Sequence, residues 1–143
     1  MDRMSKKEKS CGVIAYKTLG NVNYYLLIRA YNGDIGFPKG HVEEGESEVE
    51  TAIRELREET NAAAEIIDGF REVIEYTIPS KRNVTKTVVY FLGRCAEDDI
   101  IPQRREVKDA LFAPYDEAMR LITFEDSRKM LTKAENLIRK ISD

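Results

Sequence analysis

The sequence predicts an α+β fold in which helices pack on a mixed β-sheet. Three observations carry this. Apolar residues cluster at strand spacing in several segments and recur at helical spacing in others. The order of elements read from those patterns is β-β-loop-α-β-β-β-α-α, without the strict alternation of a doubly wound sheet. The chain has 143 residues, 42% of them hydrophobic, enough for one core and one ordinary domain. Residues 1–143 are therefore expected to form a single domain, with residues 1–9 a flexible, basic lead-in.

Each element has a local reason. Residues 10–17 (SCGVIAYK) and 23–29 (NYYLLIR) are rich in β-branched and aromatic types and flank Leu19-Gly20-Asn21, so they read as a hairpin. Residues 31–46 carry glycines, Pro38 and charges, and form a loop long enough to imply a function. Ser47 and Glu50 make a capping box for a helix over 47–60. Its buried stripe is Val49, Ala52, Ile53 and Leu56, and its end lies near Asn61, which tolerates a left-handed cap. Residues 62–77 read as a strand, and Pro79, Ser80 and Asn83 as a turn. Residues 84–92 (VTKTVVYFL) are the most strand-like segment. A polar loop over 96–106 leads to a short strand over 107–112. Pro114 suits the start of a helix over 115–121. Thr123 with Asp126 opens a last helix whose stripe is Met130, Leu131, Ala134, Leu137, Ile138 and Ile141.

Composition excludes several chemistries. Lys and Arg number 23 against 26 Asp and Glu, for a net charge of −3. That balance argues against a chain built to coat nucleic acid, and no DNA partner is expected. His41 is the single histidine, so one chain cannot build a poly-His zinc site. Cys11 and Cys95 are too few for a zinc ribbon or disulfide scaffold and read as small buried residues. No serine lies in a G-x-S-x-G setting. No targeting segment or apolar run long enough to span a bilayer is read, so the expected location is cytoplasmic, with no membrane partner. The sequence leaves the oligomeric state open.

The chemistry concentrates in the helix over 47–60. Glu55 and Glu59 are four apart and share one face, and Glu58 adjoins it. Like charges so spaced repel, by a few tenths of a kcal/mol (roughly) per exposed pair. A hard divalent cation with oxygen ligands, Mg2+ above all, would relieve this. The alternative is a solvated acidic face paired with Arg54 and Arg57. The glycine-rich turn Gly40-His41-Val42-Glu43-Glu44-Gly45-Glu46 just upstream favours the cation, because it can bring backbone carbonyls to the same metal.

Gly40, Glu46 and Arg54-Glu55-Leu56-Arg57-Glu58-Glu59 together resemble the Nudix box, G-x5-E-x7-R-E-U-x-E-E-x-G-U, where U is a bulky aliphatic residue. Asn61 stands where that family has glycine, and Ala62 is small for the last position. The resemblance implies an α/β/α sandwich around a mixed sheet and metal-dependent hydrolysis of a phosphoanhydride. It implies that Glu55, Glu58 and Glu59, with the Gly40 carbonyl, hold Mg2+ (or Mn2+), and that Arg54 pairs with Glu46 and orients the glutamates. One glutamate, Glu55 in some members, serves as base. A further carboxylate comes from a late loop, and Glu106 is the candidate, its alternative being a plain surface glutamate.

Four features outside the box bear on the substrate: Phe37-Pro38-Lys39-Gly40-His41, Glu72-Val73-Ile74-Glu75-Tyr76, Lys86-Thr87-Val88-Val89-Tyr90-Phe91 and Thr123-Phe124. Together they resemble the asymmetric diadenosine tetraphosphate hydrolases within the Nudix family. On that resemblance Lys39, His41 and Lys86 bind polyphosphate, and Tyr76 and Phe124 clamp an adenine. Each has a structural alternative: a core strand residue for Tyr76, a core helix residue for Phe124, an edge-strand charge for Lys86. Ile35 stands where that subgroup commonly has tryptophan. The leading expectation is conversion of diadenosine tetraphosphate to ATP and AMP. Two alternatives remain: a pyrophosphohydrolase acting on diphosphoinositol polyphosphate or triphosphate-ended RNA, and a non-catalytic nucleotide-sensing domain.

Overall fold

A computed structural model describes residues 6–78, 84–96 and 100–142. The first hairpin joins β1 (Lys6–Leu19) to β2 (Val22–Arg29) across Gly20-Asn21. Two short strands follow, β3 (Ile35–Gly36) and β4 (Lys39–His41), inside the segment expected to be loop. Then come α1 (Glu48–Thr60), β5 (Ala64–Thr77), β6 (Val84–Cys95), β7 (Asp109–Pro114), α2 (Tyr115–Leu121) and α3 (Glu125–Ser142).

The strands form one mixed sheet in the order β3-β2-β1-β6-β5, with β4 paired to β1 and β7 to β2. Among the described residues only the β1–β6 pairing is parallel. That pairing begins at Lys6↔Val84 and runs to Tyr16↔Arg94. It corrects the expected lead-in: Lys6 to Lys9 belong to β1, because β6 offers them a partner no local pattern reveals. Residues 1–5 and the expected turn at Pro79, Ser80 and Asn83 lie outside the described residues.

Period-two alternation along β1 and β6 divides the core into two layers. Cys11, Val13, Ala15, Val89 and Phe91 face α1, packing on Ala52 and Leu56. Ile14, Tyr16, Val88, Tyr90 and Leu92 face the other way, onto Ala118 of α2 and Met130, Leu131, Ala134 and Ile138 of α3. The result is the expected α/β/α sandwich. Both cysteines are buried and free. Four stripe positions differ from expectation: Ile53 and Ile141 are exposed, and Val49 and Leu137 are only partly buried. Each sits at the margin of its helix's buried arc.

The helix signals hold at α1. Ser47 accepts from the Glu50 amide at 3.1 Å, and the Glu50 carboxylate accepts from the Ser47 amide at 2.8 Å. At α3 they differ. Thr123 does not cap the helix; its hydroxyl accepts from the Ile35 amide at 2.8 Å, so a long-range partner takes the oxygen a cap would use. The strand expected over 107–112 starts at Asp109, because the preceding residues turn back on Gln103.

One buried polar cluster locks α3 to the first hairpin. Glu135, 3% exposed, accepts from the Tyr25 hydroxyl at 2.6 Å and the Asn23 amide at 3.1 Å, and pairs with Arg139 at 2.8 Å. Glu135→Ala should strand two buried donors and cost about 1–3 kcal/mol. The expected readout is a lower urea midpoint at an unchanged m-value; an unchanged midpoint would show that the cluster contributes nothing.

Candidate active site

The site forms where α1, β4 and the loop before β7 meet. A cleft of about 540 Å³ opens there, lined among others by Lys39, Gly40, His41, Glu55, Glu59, Tyr90, Glu106 and Phe124. Carboxylate oxygens of Glu55, Glu59 and Glu106 all lie within 4.8 Å of one another. Gly40 makes the approach possible. A Cβ at that position would overlap the Glu55 carboxyl group, so any other residue would displace that carboxylate; the constraint is close contact rather than backbone conformation. Gly12 does similar service beneath: a Cβ there would strike the Pro38 carbonyl, Lys39 and Tyr90. It lets β4 pair closely beside β1, where Gly12 stands opposite Lys39.

Arg54 organises the carboxylates. Its Nε donates to Glu46 at 2.6 Å and its two terminal nitrogens donate to Glu46 (3.0 Å), Glu55 (2.9 Å), Glu58 (3.1 Å) and the His41 carbonyl (3.0 Å). Bonding to Arg54, together with the Glu43 amide, holds the Glu46 carboxyl down at about 2. The same glutamates push the guanidinium pKa up. Glu46 also accepts from Thr51 at 2.8 Å, which fixes its second oxygen.

Glu59 is the anomalous group. It is 4% exposed, and its Oε1 is buried without a hydrogen-bond partner. Burial first, then the Glu55 hydrogen bond and the charges of Glu55 and Glu106, push its pKa up to about 9. Burial and the Glu55 and Glu58 charges also raise Glu106. A buried, unpartnered carboxylate oxygen beside two more carboxylates is the kind of donor set a hard divalent cation requires. The residues present fit such an ion.

The expected residues divide into those gathered here and those nearby. Glu55, Glu59, Glu106, Gly40, Lys39, His41 and Phe124 line the cleft. Glu58 does not join the three-carboxylate group; its half-exposed side chain lies on Arg54. Tyr76 and Lys86 are not among the lining residues, yet they are direct cross-strand partners on β5 and β6. Burial and the neighbouring Lys86 charge push the Lys39 pKa down, while Glu59 and Glu55 pull it back up. Phe124 is 57% exposed and Tyr76 44%, so neither is a core residue. Sequence reading assigned no role to Tyr90, Phe37 or Ser127, which also line the cleft. Phe37 and Tyr90 pack edge-on, centroids 5.5 Å apart. Strand periodicity held the signal for Tyr90, which shares a face with Lys86.

The NUDIX domain family model matches residues 7–134. The chain belongs to the Nudix family. It is 33% identical over 142 residues to the asymmetrical bis(5'-nucleosyl)-tetraphosphatase of Sus scrofa, covering 91% of this chain and 95% of that one. It is 34% identical over 138 residues to an RNA pyrophosphohydrolase of Nitratiruptor sp., covering 85% and 88%. In structure it is similar to a C. elegans Ap4A hydrolase in a binary complex, with a TM-score of 0.84 and 25% identity over 93% of this chain and 98% of that one. It is a Nudix hydrolase, and among the described residues no helix is long and apolar enough to cross a membrane.

The raised pKa of Glu59 sets a pH dependence for the metal-free Nudix protein. Below 4.5 the carboxyl is protonated in folded and unfolded chains alike. Between 4.5 and about 9 the unfolded chain ionises while the folded one resists, so stability falls as pH rises through that window. Glu106 adds to the same slope. Glu59→Gln should melt with a shallower pH dependence than wild type over this range, and added Mg2+ should stabilise wild type more than the variant. Equal slopes in thermal melts would overturn this account.

Proposed function

We propose that this Nudix hydrolase splits a phosphoanhydride bond of diadenosine tetraphosphate with water, giving ATP and AMP, and that it uses Mg2+ or Mn2+ to do so. The observation that carries the reading is the convergence of Glu55, Glu59 and Glu106 in a cleft also lined by Lys39, His41 and Phe124. Three carboxylates repel a polyphosphate, so the cleft admits one only when a cation intervenes. Glu55, Glu58, Glu59 and Glu106, with the Gly40 carbonyl, are the groups proposed to hold it. When bound, a divalent cation neutralises charge on the phosphate oxygens and acidifies the attacking water.

The chain's own side chains do the rest. One of the glutamates takes the proton of the attacking water. Lys39, His41 and Lys86 steady the phosphates as negative charge develops on the leaving oxygen. Tyr76 and Phe124 bear on the adenine. Arg54 fixes the carboxylates rather than the substrate, so Arg54→Ala should lower kcat more than it raises KM. A variant with unchanged kcat and weaker binding would make Arg54 a substrate contact.

The named relatives support the dinucleotide reading, and the similarity to an RNA pyrophosphohydrolase keeps triphosphate-ended RNA as the second. A diphosphoinositol polyphosphate calls for a denser cationic collar. Of its candidates, Arg104 is spent on the Lys108 carbonyl at 2.6 Å, Arg105 is a single exposed charge, and Lys81 and Arg82 lie outside the described residues. The retained carboxylates speak against a purely sensing domain.

The deciding experiment is product analysis over dinucleoside polyphosphates, nucleoside triphosphates and triphosphate-ended RNA, with and without EDTA. ATP plus AMP from the dinucleotide, abolished by EDTA, is expected; faster turnover of RNA ends overturns the substrate. Two variants read the subsites separately. Tyr76→Ala should lose ~1–3 kcal/mol on adenine dinucleotides, the scale of base–aromatic stacking, and almost nothing on an inositol pyrophosphate. Lys86→Ala should weaken both substrates, with the deficit shrinking as salt rises. Equal losses from Tyr76→Ala on both substrates would mark a structural tyrosine.

A further inference from the structure

The loop that delivers Glu106 is fastened to the end of the helix that carries Glu55 and Glu59. α1 stops at Asn61, whose φ of 66° and ψ of 4° place it in the left-handed region. Among the described residues it is the one non-glycine with positive φ. Its amide donates to the Arg57 carbonyl at 2.9 Å. The last carbonyls of a helix have no partner within it, and here the chain reversal leaves two of them to the loop over 100–108. The Ile101 amide donates to the Thr60 carbonyl at 2.9 Å, and the Gln103 amide to the Glu59 carbonyl at 2.8 Å.

From Gln103 the path to Glu106 is a single tight turn. The amides of Glu106 and Val107 both donate to the Gln103 carbonyl at 2.9 Å. The far end is tied as well. The Lys108 amide donates to the Arg29 carbonyl at 2.8 Å, and the Tyr31 hydroxyl donates to the Arg104 carbonyl. The main chain of Glu59 thus holds, one turn removed, the residue whose carboxylate faces the Glu59 side chain.

We propose that Asn61 is a positioning residue for Glu106: its left-handed turn registers the 100–108 loop on the Glu59 and Thr60 carbonyls and so sets where the third carboxylate stands. The consequence for metal binding rests on the reading of Glu106 as a ligand. The requirement is one of backbone. Glycine and asparagine adopt this conformation readily, alanine at a cost, and a β-branched residue only as an outlier.

The test combines Mn2+ titration of the metal-free protein, followed by electron paramagnetic resonance, with amide exchange at Ile101, Gln103 and Glu106. Asn61→Val should weaken Mn2+ binding by about ten-fold, the scale of removing a ligand's support, and speed exchange at all three amides. Asn61→Ala should move both readouts the same way by less. Asn61→Gly, which keeps the turn and removes the side chain, should stay nearer to wild type than Asn61→Ala in both readouts; if it behaves like Asn61→Val, the side chain rather than the turn is responsible and the proposal fails. The double variant Asn61→Val with Glu106→Gln should bind Mn2+ no worse than Glu106→Gln alone, because the two changes act on one group. Losses that multiply overturn the coupling. If Asn61→Val does not fold, wild-type binding and exchange in Asn61→Ala overturn the proposal instead. Unchanged Mn2+ affinity in Glu106→Gln overturns the metal role of Glu106, and faster exchange in Asn61→Val then still supports registration of the loop.

Discussion

Glu55, Glu58 and Glu59 of α1 and Glu46 from the turn before it stand close together, and the Arg54 guanidinium is what makes their proximity tolerable. It gives hydrogen bonds to Glu46, Glu55, Glu58 and the His41 carbonyl. A planar fork with fixed donor directions can hold several carboxylates at once, which a lysine ammonium cannot. Through His41 it also ties the helix to β4. The placement of Gly40 and Lys39 over the carboxylates therefore depends on the same side chain. Glu59 alone makes no bond to it; burial, then the neighbouring Glu55, pushes the Glu59 pKa up to about 9.

The scaffold's contribution is rigidity at both ends of that helix. The Ser47–Glu50 box satisfies its first amides, and Asn61 turns the chain sharply away at its last carbonyls. Between them, Ala52 and Leu56 bury against β1 and β6, which fixes the rotation of α1 about its axis. That rotation decides which carboxylates face the cleft. Glu55 and Glu59 are turned inward and buried, while Glu58, one position away from Glu59, stays half exposed.

The cleft's other wall comes from the opposite layer of the sandwich. Ile35 and Thr123 hold each other by paired hydrogen bonds, the Thr123 amide to the Ile35 carbonyl at 3.0 Å and the Ile35 amide to the Thr123 hydroxyl at 2.8 Å. This joins the start of α3, where Phe124 stands, to the segment leading into Lys39 and His41. Ile35, which stands where the subgroup that this sequence resembles commonly has tryptophan, is 9% exposed and lines the cleft with a small aliphatic side chain. The exposed aromatic surface at this end is left to Phe124.

The sequence by itself determined what depends on near neighbours in the chain. The capping box, the left-handed cap at Asn61, the hairpin turn and the helical spacing of Glu55 and Glu59 are set by contacts a few residues long, so spacing exposes them. Membership of the Nudix family was legible for the same reason, since the box is one continuous segment. Tertiary structure alone decided the rest. The strand character of Lys6 to Lys9 comes from a parallel partner more than seventy residues away. The diversion of Thr123 to Ile35, the inclusion of Tyr90 and the burial of Glu59 likewise follow from which elements pack together. The sequence could name Glu106 as a candidate, but its approach to Glu55 and Glu59 depends on a loop held by the Glu59 and Thr60 carbonyls at one end and by Arg29 and Tyr31 at the other. Hydrogen bonds and burial between distant segments leave no periodic trace in the chain that forms them.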